Sequence, residues 1–284
     1  VISKKIILEN MANEINVGTY VGIGDCIIAK FQLLDFVNAG NICNISPSFQ
    51  IIKKYKNNPY EYFKFILSFM KLIFVEEGFN VTDTQFPLYD MIDLKKFGEP
   101  WAINLRNQLC DSNYLLPNEL KNDKYIILHT KVRNYDEAII DRNKLLSHIK
   151  LFANNHGYKI VAIGERKIGK NREYMTRDNR RYIFSIYDKI KNIFGGNFLD
   201  YTIEELGHTV PSLKNIINDC SLMSKAEFNI CFGGGGQMLL SSSVGKIVYL
   251  ADENIYKEFA ENAFKETDNF VTTNVHSFIN FFKN

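Results

Sequence analysis

The sequence predicts an α/β fold built on parallel sheets. Three observations carry this. Short apolar runs alternate with segments whose apolar residues recur at helical spacing. Several runs, such as Tyr125-Ile126-Ile127-Leu128 before His129, are apolar, as strands covered on both faces are. Twice a strand runs into glycines and a helix start, at Gly22-Ile23-Gly24-Asp25 and at Gly233 to Gly236.

In chain order, Asn16 to Val21 reads as the first strand. Cys26 to Val37 reads as a helix, apolar at 27, 28, 31, 34 and 37, with Asp25 at its head. Ile42 to Ile45 is a short strand. Pro59 to Glu77 is an amphipathic helix with Pro59 in its first turn, where the missing N–H costs nothing. Phe79 to Thr82 is a further strand. Residues 83–122 are irregular, with Pro87, Pro100 and Pro117 and a short helix near 102–109.

The alternation restarts near residue 123. Residues 125–129 form a strand, Glu137 to Asn154 a helix, and Lys159 to Gly164 a strand. Residues 165–181 read as a polar loop, with seven basic and three acidic side chains. A helix over Ile183–Phe194, a strand at 198–200 and a helix over Pro211–Lys225 follow. The strand 228–232, the glycine turn, a helix and the strand 246–250 come next. Helices at 255–264 and 275–282 close the chain. The restart divides it into two α/β domains, 1–122 and 123–284.

Composition excludes several classes. The 284 residues, 46% hydrophobic and 23% charged, describe a globular protein with room for substantial cores. A net charge of +2 argues against a dedicated nucleic-acid binder. Up to residue 122 there are 12 basic and 13 acidic residues, and after it 22 and 19, so the second part is slightly basic. The five cysteines are scattered without a CxxC pair, which speaks for a reducing, cytoplasmic setting and against structural zinc. The longest apolar stretch, Tyr62 to Val75, is broken by Lys64 and Lys71 and is no membrane span. No signal peptide is visible, and a start at Val1 reads as a piece of something longer.

Four clusters could carry chemistry. The run Gly233, Gly234, Gly235, Gly236 is richer in glycine than a plain turn needs, and glycine costs backbone entropy. It lets N–H groups approach a phosphate at a helix start, with Gln237 and Ser241 adding hydrogen-bonding groups. Its other reading is a turn that needs positive φ. Gly22, Gly24 and Asp25 stand at the carboxyl end of the first strand, the side on which open α/β sheets bind ligands. Asp25 reads equally as a general base or as a helix cap. Lys131 and Arg133, after the strand 125–129, can neutralise phosphate oxygens or be solvated strand-end charges. His129 is a core histidine on one reading. Glu165, first after the strand 159–164, can grip a sugar hydroxyl, and the basic stretch behind it reads as a solvated or closing loop. No GxxxxGK[ST], GxSxG or HExxH occurs, and the histidines show no metal spacing.

Together these residues resemble the two-domain glycosyltransferases of the GT-B architecture, and among them the lipopolysaccharide heptosyltransferase family, glycosyltransferase family nine. That family opens with a strand, a G-x-G-D turn and a helix, as Gly22-Ile23-Gly24-Asp25-Cys26-Ile27-Ile28 does here. The resemblance implies two Rossmann-like domains facing across a cleft, with Asp25 as base. It implies a basic residue near the donor phosphates (Lys131 or Arg133) and an acidic one after the next strand (Glu165). The segment Ser212 to Cys220 leads through Phe228–Phe232 to the glycine turn as in the family. The family's turn carries D-[ST]-G-x-x-H, whereas this chain has no histidine there, so that donor contact does not carry over.

The expected activity is metal-independent, inverting transfer of a sugar from a nucleotide-sugar to a glycan or glycolipid hydroxyl. No cofactor is expected, since the nucleotide-sugar is a substrate. Nucleic acid is not an expected partner, and peripheral membrane contact would come through the acceptor. The alternatives are a polysaccharide pyruvyl transferase, a nucleotide-sugar epimerase, or a non-catalytic carbohydrate- or nucleotide-binding module.

Overall fold

The computed structural model describes residues 13–20, 22–88, 103–134, 142–167, 172–175, 180–204, 211–233, 236–251 and 268–283. The chain is α/β. Its first part runs β1 (Glu14–Thr19), α1 (Ile23–Asn38), β2 (Ile42–Pro47), α2 (Phe49–Tyr55), α3 (Pro59–Ile73) and β3 (Phe79–Val81). A short α4 (Arg106–Leu109) and a 3-10 turn at Asn118–Leu120 lead to β4 (Tyr125–Asn134). Then come α5 (Arg142–His156), β5 (Lys159–Glu165), β6 (Arg172–Met175), β7 (Arg180–Ser185), α6 (Tyr187–Phe194), β8 (Leu199–Ile203) and α7 (Leu213–Lys225). The remainder is β9 (Asn229–Phe232), α8 (Gly236–Val244), β10 (Ile247–Leu250), β11 (Phe270–Thr272) and α9 (Val275–Phe281).

The first sheet is β1-β2-β3, all parallel, with Asn16 opposite Asn44 and Asn44 opposite Asn80. Val17, Cys43, Ile45 and Phe79 turn to one face and pack with buried residues of α1 and α3. On the other face Asn44 Nδ2 donates to Asn16 Oδ1 at 2.9 Å and Asn80 Nδ2 to Asn44 Oδ1 at 3.0 Å. Asn16 and Asn80 are exposed. The expectation of apolar cover on both faces fails here because outward positions carry amides that satisfy one another and water.

The second sheet runs β11-β10-β9-β4-β5-β8. Numbered from β4, this is the 3-2-1-4-5-6 order of the doubly wound dinucleotide-binding fold. Alternate residues divide between two cores. Ile127, Val161, Ile163, Cys231 and Tyr249 meet α7, α8 and α1. Ile126, Leu128, Ile160, Ala162, Ile230 and Val248 meet the other face, with Leu145 and Ile149 of α5, Ile190 of α6 and Phe278 of α9. That explains the unbroken apolar strands: each is buried on both sides.

The first of these cores is continuous from β1 and α1 through Leu105, Leu109 and Leu120 into the second sheet. The stretch before β4 is tied to the second sheet's helices. Leu105 N–H donates to Ser243 O at 2.8 Å, Asp111 N–H to Ser221 Oγ at 2.8 Å, and Lys225 Nζ to Tyr114 O at 2.6 Å.

Four elements differ from the sequence reading. Residues 172–175 and 180–185 are not loop and helix but an antiparallel pair, and β7 pairs the far end of β4, Lys131 against Ser185. Their charged composition hid strands whose ladder is purely backbone. A helix at 49–55 and the edge strand β11 were not expected. The expected helix at 255–264 lies outside the described residues.

Candidate active site

β1 hands over to α1 through Gly22, the helix N-cap, with Asp25 at the third helical position. Asp25 Oδ2 accepts the Gly22 N–H at 2.8 Å. This acidic half of a capping box satisfies an orphan donor and puts an anion on the positive end of the helix. Of the two roles read for Asp25, the cap is therefore filled. The same bond holds the half-buried carboxylate in one orientation, which a base also needs.

The second turn leaves β9. Gly233 has φ 61°, where a side chain would be strained, and its N–H donates to Leu250 O at 2.8 Å, closing the β9–β10 ladder. Gly234 and Gly235 lie outside the described residues. Gly236 opens α8, whose first turn holds no acidic residue. Gln237 is half-buried beside it.

The two turns touch. A Cβ on Gly24 would stand 2.7 Å from Gly236 Cα and 3.1 Å from its nitrogen, closer than side-chain carbon tolerates. Glycine at both positions lets the first turns of α1 and α8 meet backbone to backbone. The contact lies beside the crevice between β4 and β9, where the strand order of the second sheet reverses. Doubly wound sheets bind ligands at such a switch point.

At the adjoining ends of β4 and β5 the two strand-end clusters form one. Lys131 Nζ lies 3.7 Å from Glu165 Oε1, the lysine side chain one-third exposed and the carboxylate nearly enclosed. Their backbone is locked: Thr130 Oγ1 donates to Glu165 O at 2.8 Å, Ser185 Oγ to the same oxygen at 2.6 Å, and Ile186 N–H to Thr130 O at 2.8 Å. Thr130 and Ser185 escaped the sequence reading, since nothing marks a hydroxyl that bonds a distant carbonyl. Arg133 lies in β4 opposite Ile183, and its side chain is outside the described residues.

Ser241 does not face the turn. It is wholly buried, and its Oγ lies 2.9 Å from His129 Nε2. On α8 it sits on the inward face, so the expected donor contact becomes a core contact. Burial pushes the His129 pKa down to about 4, so the ring is neutral there. Farther along, Arg166 behind Glu165 pairs with Asp200 at 2.9 Å, and Tyr187 OH donates to Asp200 Oδ2 at 2.7 Å. Burial works to raise the Asp200 pKa, but hydrogen bonds from Thr202 and Tyr187 with the Arg166 charge hold it below the usual value. This cluster ties the segment after β5 to β8 and to the head of α6.

Among the described residues no group of three or more His, Cys, Asp or Glu stands together as metal ligands. None of the described helices is long and apolar enough to cross a membrane. All five cysteines are free.

No family model matches the chain, and no curated protein matches it. Solved structures resemble it. A glycosyl transferase of family 9 from Veillonella parvula is 11% identical, with a TM-score of 0.46 over 96% of this chain and 89% of its own. A protein described as a UDP-N-acetylglucosamine 2-epimerase from Listeria monocytogenes is 11% identical, with a TM-score of 0.38 over 95% of this chain. The iron-containing heptosyltransferase TibC, solved with ADP-D-beta-D-heptose, is 10% identical, with a TM-score of 0.39 over 87% of this chain. This chain spans 64% of the epimerase and 61% of TibC. The family that the sequence resembles is thus among the similar structures.

Proposed function

We propose that this protein is a glycosyltransferase that moves a sugar from a nucleotide-sugar to a hydroxyl of a glycan or glycolipid. One observation carries the reading. At the switch point of a doubly wound sheet, a helix start without an acid of its own packs, glycine on glycine, against a turn that presents a held carboxylate.

The donor's diphosphate would lie at the head of α8, where the first backbone N–H groups and the helix dipole favour an anion. Lys131 adds a positive charge and Glu165 an acceptor for a ribose or sugar hydroxyl. Residues 1–122 would hold most of the acceptor and residues 123–284 most of the donor. Asp25 would take the proton of the attacking hydroxyl as the new C–O bond forms at the anomeric carbon. The bond from that carbon to the diphosphate breaks, and the leaving oxygen's charge falls on the α8 N-terminus and Lys131. Attack from the face opposite the leaving group inverts the anomeric centre, as the family resemblance implies.

A thermal-shift panel of nucleoside diphosphates, followed by turnover with the matching nucleotide-sugar, tests this. Stabilisation by one nucleotide, with transfer from its sugar conjugate, is the expected result. A shift with phosphoenolpyruvate alone would assign pyruvyl transfer instead. No shift and no hydrolysis of any nucleotide-sugar would leave a binding module.

A further inference from the structure

At the end of β5 the second sheet changes partners. β4 pairs β5 in parallel up to His129 opposite Ile163, and farther along it pairs β7 antiparallel, with Lys131 opposite Ser185. On its other side β5 pairs β8 as far as Glu165, opposite Ile203. A doubly wound unit passes from its second strand straight to a helix. Here the hairpin of β6 and β7 intervenes between β5 and α6. Its last residue, Ser185, reaches the candidate site.

The meeting point is a carbonyl. Glu165 O accepts Ser185 Oγ at 2.6 Å and Thr130 Oγ1 at 2.8 Å. Glu165 is 6% exposed and Thr130 wholly buried, so this oxygen depends on the chain for its partners. A carbonyl oxygen has two lone pairs, and one hydroxyl from β4 and one from β7 hold it together. Gly164, just before it, has φ 110°, and a Cβ there would stand 2.6 Å from Thr130 Oγ1. Glycine at 164 thus leaves room for the Thr130 hydroxyl. Ser185 is itself fixed, because its Oγ accepts the Tyr187 N–H at 3.2 Å at the head of α6.

We propose that Ser185 is a positioning residue: through the Glu165 carbonyl it sets where the Glu165 carboxylate meets a substrate hydroxyl. The inference rests on the proposed donor site, in which Glu165 accepts that hydroxyl. The Glu165 side chain is only 8% exposed, with Lys131 Nζ 3.7 Å from its Oε1, so it meets a ligand from a narrow range of positions. A shift of its backbone carries the carboxylate with it, and a misplacement of about 1 Å is costly in such a site. The hairpin therefore takes part in substrate recognition through one hydroxyl. The substrate hydroxyl belongs either to the ribose or to the transferred sugar, and the test separates the two.

The test is a double-mutant cycle on the full chain, read by calorimetry. Its ligands are the nucleoside diphosphate that stabilises the parent, the matching nucleotide-sugar and inorganic pyrophosphate. Ser185→Ala should weaken both nucleotides about tenfold if Glu165 holds the ribose, and the nucleotide-sugar alone if it holds the sugar. Pyrophosphate, with neither ribose nor sugar, should bind within about twofold of the parent. In the Glu165→Ala background the same change should cost nothing further. Ser185→Thr, which keeps the hydroxyl, should restore binding. In turnover, Ser185→Ala should raise KM more than it lowers kcat.

If Ser185→Ala does not fold by circular dichroism, Ser185→Cys, similar in size but a weak donor, takes its place. Equal loss with pyrophosphate, a loss that persists beside Glu165→Ala, or unchanged affinity for both nucleotides overturns this inference and leaves the donor site standing. Absence of nucleotide binding in the parent overturns the donor site, and the inference with it.

Discussion

The chain uses a strand, a glycine turn and a helix start twice, and the two copies differ in one respect. At the head of α1 the helix brings its own anion, with Asp25 bonded to the Gly22 N–H at 2.8 Å. At the head of α8 the first turn carries no acid. The dipoles of the two helices make similar demands, but of the two first turns only that of α1 carries an acid. Under the proposed function the turns would take different partners: the donor phosphate at α8, and the acceptor hydroxyl at the carboxylate of the α1 turn.

The largest effect should come from Asp25. Asp25→Asn leaves an oxygen to accept the Gly22 N–H and removes the base. Turnover is expected to fall by about 10²–10⁴-fold while nucleotide affinity stays within a few-fold. Retained turnover, with the melting temperature lowered, would reduce Asp25 to a cap.

Next comes the converse experiment, giving α8 the anion that α1 has. Gln237→Asp should weaken nucleoside-diphosphate binding by roughly tenfold in calorimetry and stabilise the unliganded protein by about 0.3–1 kcal/mol. Unchanged affinity would move the diphosphate away from this helix.

The contact itself can be broken from either side. Gly24→Ala sets a Cβ 2.7 Å from the Gly236 Cα, whereas on Gly236 the nearest atom would be Gly24 nitrogen at 3.1 Å. Chemical denaturation should show Gly24→Ala destabilised by about 1–3 kcal/mol, and Gly236→Ala by less. Alanine normally gains over glycine in a helix, so a stabilised Gly24→Ala would mean that the two turns do not touch.

The smallest effect at neutral pH is a titration. His129, beside Ser241 beneath the α8 turn, is held near pKa 4 by burial, against an ordinary 6.5. The unfolded chain therefore binds the proton first, and stability falls as pH drops from about 6.5 toward 4, by roughly 3 kcal/mol at full extent. In His129→Gln that portion should vanish, so the difference in melting temperature between variant and parent should narrow with acidification. A difference independent of pH would mean that the fold binds the His129 proton as readily as the unfolded chain does.

The α/β architecture on parallel sheets that the sequence predicts is the one the structure has. Most strands of the second sheet were legible because burial on both faces leaves an unbroken apolar run, as in Tyr125–Leu128. The hairpin of β6 and β7 was not, because its ladder is backbone and its side chains read as a polar loop. Ser241 was misplaced because the sequence gives its distance from the glycine turn but not the helix face it occupies.

What the sequence determined by itself is local: which runs are strands, where glycine permits a sharp turn, and which helix start carries an acid. Only the tertiary structure decided that Gly24 meets Gly236, that Lys131 pairs with Glu165, and that β4 and β9 adjoin to make the switch point. The reason is the range of the forces. Propensity and capping act within a few residues, whereas these contacts join positions tens to hundreds apart, brought together by the burial of a shared core.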